Sequence, residues 1–342
     1  MDDHEAALRT ALGRVRSERV VERLWRRDPS LWPEPSPGGA PASERLGWLA
    51  LPDRLASVLP AAAALAAQAR DAGLRDAVLL GMGGSSLAPE VMRSVLGSAP
   101  GFLRLHVLDS TVPAQILGVR ERLDVAETLF LVSSKSGTTV EPLSLLSFFR
   151  AALQEAGARS PGDRFVAITD PGTPLEQRAA EGGFRRLFHG LPDVGGRFSA
   201  LSAFGVVPAA LIGAPLDALA EGARAVASGC RLPGADNPGV RLGAFLGGLA
   251  TRGRDKITLI LSPELERLGL WIEQLLAEST GKSGKGLIPI AGEPRYDPAA
   301  YGPDRQFVYV RLSGGRNALT DAHTAAIERA GLPSLRLEMP DR

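Results

Sequence analysis

The stretch LFLVSSKSGTTVEP, residues 129–142, carries the reading of the fold. Leu129–Ser133 is a continuous apolar run of strand length that ends in polar residues. Pro142 suits a first helical turn, so a helix begins just past the loop. Strand, polar loop and helix in that order are the unit of a parallel sheet covered on both faces. Similar apolar runs stand at Ala77–Leu80, Leu103–Leu108, Phe165–Thr169 and Arg186–Phe188, with helical patterns near 86–97, 112–121, 141–157 and 174–182. A looser second set follows. Its helical patterns lie near 201–212, 215–229, 238–251, 263–280 and 317–331, and its strands at Ile257–Leu261, Phe307–Leu312 and Leu335–Glu338. The pattern predicts two doubly wound α/β units behind an N-terminal helical arm. In such sheets ligands sit outside the carboxyl ends of the strands, so the loops that follow strands are the candidate sites.

Composition narrows the function. The chain has 342 residues, and its 39 Lys and Arg against 38 Asp and Glu leave a net charge of +1, which argues against a nucleic-acid surface. A single Cys excludes a disulfide framework and a Cys-rich zinc site, and the four His show no metal-ligand spacing. With 44% hydrophobic and 23% charged residues the chain can build a large core, but at 5% aromatic that core is expected to rest on Leu, Val and Ala. The N-terminus has no apolar signal region, and no apolar run approaches the length of a membrane span, so a cytoplasmic protein with no membrane partner is expected. The Pro/Gly-rich segment Trp32–Ser43 reads as a linker, and Ala61–Arg70 as a helix by propensity.

Four loops could carry chemistry. Residues Ser133–Thr139 place five hydroxyls and one lysine in seven positions ahead of a helix N-terminus. Hydroxyls, backbone N–H groups and a helix start together cradle a phosphate, here a phosphomonoester more readily than a triphosphate. Gly81-Met82-Gly83-Gly84-Ser85-Ser86 also follows a strand and precedes a helix; Ser86 stands where a dinucleotide fingerprint needs its third glycine, and a tight turn with a serine cap is the plainer alternative. In Gly195-Gly196-Arg197-Phe198-Ser199 a guanidinium can reach an anionic intermediate or form a structural ion pair. In the amphipathic segment Trp271–Lys282, Gln274 and Glu278 share one helix face, with Gly281 as the stop. The helix dipole raises the affinity of Glu278 for a proton while Lys282 and Lys285 lower it, and a solvated Gln/Glu pair is the alternative. Gly281-Lys282-Ser283 is not a P-loop, because Leu276 occupies the position of its first glycine.

Taken in order, GMGGSS, SKSGTT, VGGRFS and Q-x-x-x-ESTGK resemble the phosphoglucose isomerase family, from about Arg45 to Arg311. The segments around Trp25–Trp32 and Tyr301–Phe307 look closer to the isomerase half of bacterial transaldolase–isomerase fusions. The resemblance implies two doubly wound parallel-sheet SIS (sugar isomerase) domains: an arm and linker over 1–43, a phosphate-binding domain over 44–205 and a second domain over 206–342. It implies interconversion of glucose 6-phosphate and fructose 6-phosphate through a cis-enediol, with no cofactor or metal. Ser134, Lys135, Ser136, Thr138 and Thr139 would hold the phosphate, Lys135 with its amide and charge, and Gly84 and Ser85 would line the same pocket. Glu278 would be the catalytic base, Arg197 the catalytic cation and Gln274 a substrate-orienting group. A homodimer is expected on the same ground.

The sequence departs from that family in three places. Gly137 stands where many members carry an aromatic, so an enclosing contact is expected to be lost. The family's ring-opening histidine follows a Gly-Glu-Pro segment, here Gly292-Glu293-Pro294, yet the next histidine is His323, expected to be exposed; His189 reads as structural. A closing C-terminal helix is expected to be absent after Met339–Arg342, so that the chain would bind hexose phosphates but isomerise them poorly alone. Two alternatives follow: a non-catalytic sugar-phosphate sensor, or an isomerase half of a bifunctional enzyme. An amidotransferase-type enzyme would need an N-terminal nucleophilic Cys, and the only cysteine is Cys230.

Overall fold

The computed structural model describes residues 3–32, 41–282 and 284–340. Part of the Pro/Gly-rich segment, Ser283 and the last two residues lie outside them. The elements run α1 (Asp3–Ser17), α2 (Val20–Trp25), α3 (Leu51–Asp71), β1 (Asp76–Gly81), α4 (Leu87–Leu96), β2 (Arg104–Leu108), α5 (Pro113–Arg120) and β3 (Thr128–Ser133). They continue with α6 (Val140–Glu155), β4 (Phe165–Thr169), α7 (Pro174–Glu181), β5 (Arg186–His189), α8 (Ala203–Leu211), α9 (Leu216–Gly229) and α10 (Pro238–Ala250). The last are β6 (Lys256–Leu261), α11 (Leu268–Thr280), β7 (Ile288–Ile290), β8 (Arg305–Leu312), α12 (Ala318–Arg329) and β9 (Ser334–Met339).

The chain divides into two compact units: Arg45–Gly222, and Met1–Glu44 with Ala223–Arg342. This differs from the expected arm and from the expected boundary after residue 205. The N-terminal helices pack within the second unit because small residues let α1 and α10 approach. A Cβ on Gly248 of α10 would lie 3.1 Å from the Ala7 carbonyl oxygen and 3.2 Å from the Ala11 Cβ. Trp25 adds a hydrogen bond from its indole N–H to the Cys230 carbonyl, 3.0 Å.

In the unit Arg45–Gly222 the strands form a parallel sheet in the order β2-β1-β3-β4-β5. β1, β3 and β4 are buried along their whole length, which their unbroken Val, Leu, Ile and Ala runs require. The connection leaving β1 goes to β2 on one side, and the chain then returns to β3 on the other. This places a topological switch point between β1 and β3, with Gly81 paired to Ser133 at its mouth. The few aromatic residues are not spread evenly. Phe130 packs on Phe149 and Phe165, with ring centroids 4.6 and 5.3 Å apart, all three fully buried. The core on this side of the sheet is therefore knitted by phenylalanine as well as by Leu, Val and Ala. Each such ring contributes roughly 1.5–3 kcal/mol through burial.

α3 begins ten residues before the segment expected from propensity, with Pro52 in its first turn, and it tolerates Pro60 inside. Its buried residues include Leu51, Leu55, Ala62, Leu65 and Ala69, and the helix packs against α8. By length and composition the segment Gly47–Asp71 could also cross a membrane, which corrects the expectation that no segment comes near that length. A core helix passes the same test.

The second unit holds a parallel sheet in the order β7-β6-β8-β9, the order of the first sheet short of one strand. β7 escapes the sequence reading: it has three residues, with Pro289 at its centre, and lies at the sheet edge, where a missing N–H is tolerated. At the mouth between β6 and β8 several polar groups are paired with one another. Ser262 donates to Asn317 Oδ1 at 2.6 Å and accepts from the Leu312 N–H at 2.8 Å, while Glu264 accepts from the Arg316 guanidinium at 3.0 Å.

Candidate active site

The loop after β3 folds around its own hydroxyls. Ser134 is buried and donates from Oγ to Thr139 Oγ1 at 2.9 Å, while its backbone N–H reaches the Ile168 carbonyl at 3.0 Å. Ser136 Oγ accepts from the Thr138 hydroxyl at 2.9 Å and from the Thr138 N–H at 3.2 Å. Thr139 holds the N-cap position of α6 without making a side-chain capping bond. Among the described residues the first-turn N–H groups of α6 thus take no capping bond from their N-cap side chain, and a helix start in that state attracts an anion. Gly137 has φ +67°, and a Cβ there would lie 2.7 Å from Thr173 Cβ and 2.9 Å from the Leu175 backbone nitrogen. The enclosing contact expected to be missing at this position is instead supplied from the next loop, by Thr173.

The loop after β1 is pinned to the glycine turn that carries Arg197. A Cβ on Gly84 would fall 2.3 Å from the Gly196 carbonyl carbon and 2.6 Å from the Arg197 nitrogen, so only glycine allows the two backbones this close. Ser199 ties the same corner, donating to the Gly196 carbonyl at 2.6 Å. The Arg197 guanidinium lies over the Phe198 ring, 4.7 Å from its centroid, and Phe198 stacks on Trp48 at 5.3 Å with 13° between planes.

Outside the carboxyl ends of β1 and β3 these loops line an open cavity of about 560 Å³. Five residues singled out from sequence line it: Gly84, Ser85, Lys135, Ser136 and Thr139. Ser134 stands behind Thr139, and Thr138 is exposed, bonded to Ser136. The sequence reading missed Met82, Asp170, Pro171, Thr173 and Pro192 on the wall. The signal was there to find: Thr169-Asp170-Pro171-Gly172-Thr173 is the loop after β4, another strand end of the same sheet.

The charge expected of Lys135 is already engaged. Its ammonium pairs with Asp170 and donates to the Leu191 carbonyl at 3.0 Å. Asp170 Oδ1 is buried with no hydrogen-bond partner among the described residues. Nearby, Glu176 accepts from the Gly172 N–H and from His189 Nε2 at 2.8 Å, and both bonds hold its carboxyl below the usual carboxylate range.

The other sequence-marked groups lie in the second unit. Gln274 and Glu278 stand one turn apart on α11, with Gln274 Nε2 donating to Glu278 Oε2 at 3.3 Å. Gln274 Oε1 is buried without a partner among the described residues, and the Glu278 side chain is exposed. Lys282 donates to the Glu278 backbone carbonyl at 2.8 Å, so it caps the helix end. His323, expected to be exposed, is half-buried against the Tyr301 hydroxyl at 3.3 Å. Burial, with Arg295 nearby, lowers its affinity for a proton, so the ring is neutral at pH 7. It lines a second cavity of about 500 Å³ with Gly292, Glu293 and Pro294. Glu293 itself is bound bidentately by Arg305, at 2.9 Å on each oxygen. Among the described residues no group of three or more His, Cys, Asp or Glu could hold a metal ion.

A doubly wound parallel sheet with a hydroxyl- and glycine-lined cavity at its switch point places the chain in the α/β class of SIS folds. The phosphoglucose isomerase family model matches residues 66–286, and the chain belongs to that family. It is 36% identical to the glucose-6-phosphate isomerase of Rubrobacter xylanophilus over 71% of this chain and 58% of that protein. It is also 36% identical to that of a Synechococcus strain over 60% of this chain and 39% of the relative. The chain thus spans about half the length of the curated relatives it matches. Among solved structures, a hypothetical protein from Thermus thermophilus superposes with a TM-score of 0.81 at 28% identity, covering 99% of this chain and 88% of the other. A glucose-6-phosphate isomerase from Chlamydia trachomatis shares the fold, with a TM-score of 0.68 at 23% identity over 89% of this chain and 66% of its own.

Proposed function

We propose that the chain is an aldose–ketose isomerase that interconverts glucose 6-phosphate and fructose 6-phosphate. The observation that carries the reading is the cavity at the β1/β3 switch point, lined by Gly84, Ser85, Lys135, Ser136 and Thr139 ahead of the uncapped α6 start. There the phosphate takes hydrogen bonds from hydroxyls and backbone N–H groups. Glu278 as carboxylate removes the C2 proton of the open-chain aldose. The C2–H electron pair forms the C1=C2 bond while the C1=O pair moves onto O1, giving a cis-enediolate; a proton passes from O2 to O1, and the same carboxyl returns its proton to C1 as the O2 electron pair forms the C2=O bond of the ketose. The Arg197 guanidinium stabilises negative charge on the enediol oxygens. Gln274, hydrogen-bonded to Glu278, orients the base and the sugar. A cytoplasmic homodimer goes with this reading.

The test is conversion of fructose 6-phosphate to glucose 6-phosphate by the whole chain, coupled to a dehydrogenase, beside Glu278→Gln. Loss of the base should lower kcat by about 10²–10⁴-fold while leaving binding of the sugar phosphate in place. Saturable sugar-phosphate binding without turnover in the parent chain would favour the sensor. Absence of both would overturn the assignment.

A further inference from the structure

Strand β9 ends the second sheet on one side, and among the described residues no strand pairs with its far edge. The Phe307 N–H donates to the Pro333 carbonyl at 2.9 Å, and the Ser313 N–H to the Met339 carbonyl at 2.8 Å. Odd-numbered residues here therefore turn their backbone groups to β8, and Ser334, Arg336 and Glu338 turn theirs outward. The two edges of this sheet are not alike. β7 is three residues long with Pro289 at its centre, which blunts pairing, whereas β9 runs for six residues with no proline inside it.

The Arg336 and Glu338 side chains are exposed and carry opposite charge on either side of Leu337. Arg336 Nε donates to Glu338 at 3.0 Å, and Arg311 donates to Glu338 at 2.8 Å. A second copy laid antiparallel on this edge has three registers that oppose these outward-facing residues. One sets Arg336 against Arg336, and another sets Glu338 against Glu338. The third is centred on Leu337 and sets Arg336 against Glu338 of the second copy twice over. Like charges directly opposite are destabilising, so charge selects the third. In that register the Arg336 and Glu338 positions exchange four backbone hydrogen bonds. Leu337 meets Leu337 on the axis and Leu335 meets Met339, all of them half-buried in one copy. The arrangement is two-fold and consumes the β9 edge of each copy, so assembly closes at two.

We propose that the outer edge of β9 is an interaction surface for a second copy of this chain, paired antiparallel about Leu337 into one sheet of eight strands, four from each copy. The inference rests on the homodimer part of the reading above and deepens it by naming the interface.

The experiment is sedimentation equilibrium of the whole chain, on the parent, Arg336→Glu, Glu338→Arg and an equimolar mixture of the two variants. The parent should be a dimer. Each variant alone turns two opposed pairs into two like-charged ones, so its dissociation constant should rise about 10–100-fold. In the mixture one copy carries two acids and the other two arginines, and a heterodimer should form at least as tightly as the parent dimer. Mixing does not repair a fold defect, so this recovery reads the interface alone. A parent dimer that neither variant weakens, or weakened variants whose mixture stays apart, overturns the inference and leaves a homodimer through another surface. A monomeric parent overturns both, while turnover of fructose 6-phosphate tests the isomerase reading separately. If circular dichroism shows that either variant does not fold, Leu337→Cys decides. Its thiols face each other on the axis and should give a disulfide-linked dimer with oxidised glutathione that the parent, with Cys230 alone, does not give. No linked dimer above the parent level overturns the proposal.

Discussion

Replacing Gly84 by alanine tests the corner on which the cavity is built. The added Cβ would stand 2.3 Å from the Gly196 carbonyl carbon, against 3.4 Å for ordinary contact, and the obstacle is backbone on both sides. No rotamer relieves it, so the two loops must part by about 1 Å, at the cost of overpacking strain of about 2–3 kcal/mol. For a unit of this size each kcal/mol moves the melting temperature by about 2–4 °C, so Gly84→Ala should melt about 4–12 °C lower. The same displacement opens the cavity wall, and inorganic phosphate should bind about tenfold more weakly, because donor geometry sets the worth of each hydrogen bond. Gly13→Ala is the control: Gly13 lies inside α1 with nothing within 4 Å of its absent Cβ, and alanine there should stabilise by about 0.8–1 kcal/mol. Differential scanning calorimetry and phosphate titration read both changes. A Gly84→Ala chain that melts with the parent and binds phosphate as tightly would refute the close approach of these loops.

Two further outcomes follow from the packing and the titrating groups. Phe198→Leu removes the ring between Trp48 and the Arg197 guanidinium. A double-mutant cycle with Trp48→Leu should return a coupling of about 0.5–1.5 kcal/mol, and a coupling near zero would show that the stack holds nothing. His323 is held neutral by burial and by the Arg295 charge, against an opposing pull from Glu293, beside the Tyr301 hydroxyl. Its folded-state pKa lies below the unfolded one, so as pH falls through about 6.5 the unfolded chain takes up a proton first and stability is lost. Denaturant unfolding at pH 7.5 and 5.5 should show a smaller acid loss in His323→Phe than in the parent. An equal loss in both would remove His323 from the account.

The parallel sheets were legible because burial on both faces writes itself as unbroken Val, Leu and Ile runs, and β1, β3 and β4 stand close to where those runs lie. Short Ile288–Ile290 was not, since a three-residue edge strand with a central proline has no periodic signature. The hydroxyl loop was visible by composition alone. What composition hides is pairing across long sequence separations: the Asp170 that takes up the Lys135 charge is 35 residues away, and the Trp48 behind Phe198 comes from before the first strand. The half-burial of His323 was equally hidden, because Tyr301 reaches it from a connection with no regular structure of its own pattern in the sequence.

The second sheet repeats the strand order of the first, and with it the crevice between its first and third strands. There, however, Ser262 binds Asn317 and Arg316 binds Glu264. In the first crevice the α6 start is left without a side-chain cap. Topology supplies the chain with two crevices of one strand order, and among the described residues they differ in where bonds between side chains run: from loop to loop across the β6/β8 mouth, and within the Ser134–Thr139 loop at the β1/β3 mouth. Freeing donors at the β6/β8 mouth would take only the deletion of the acceptors that hold them, Asn317 and Glu264, with no new strand or helix.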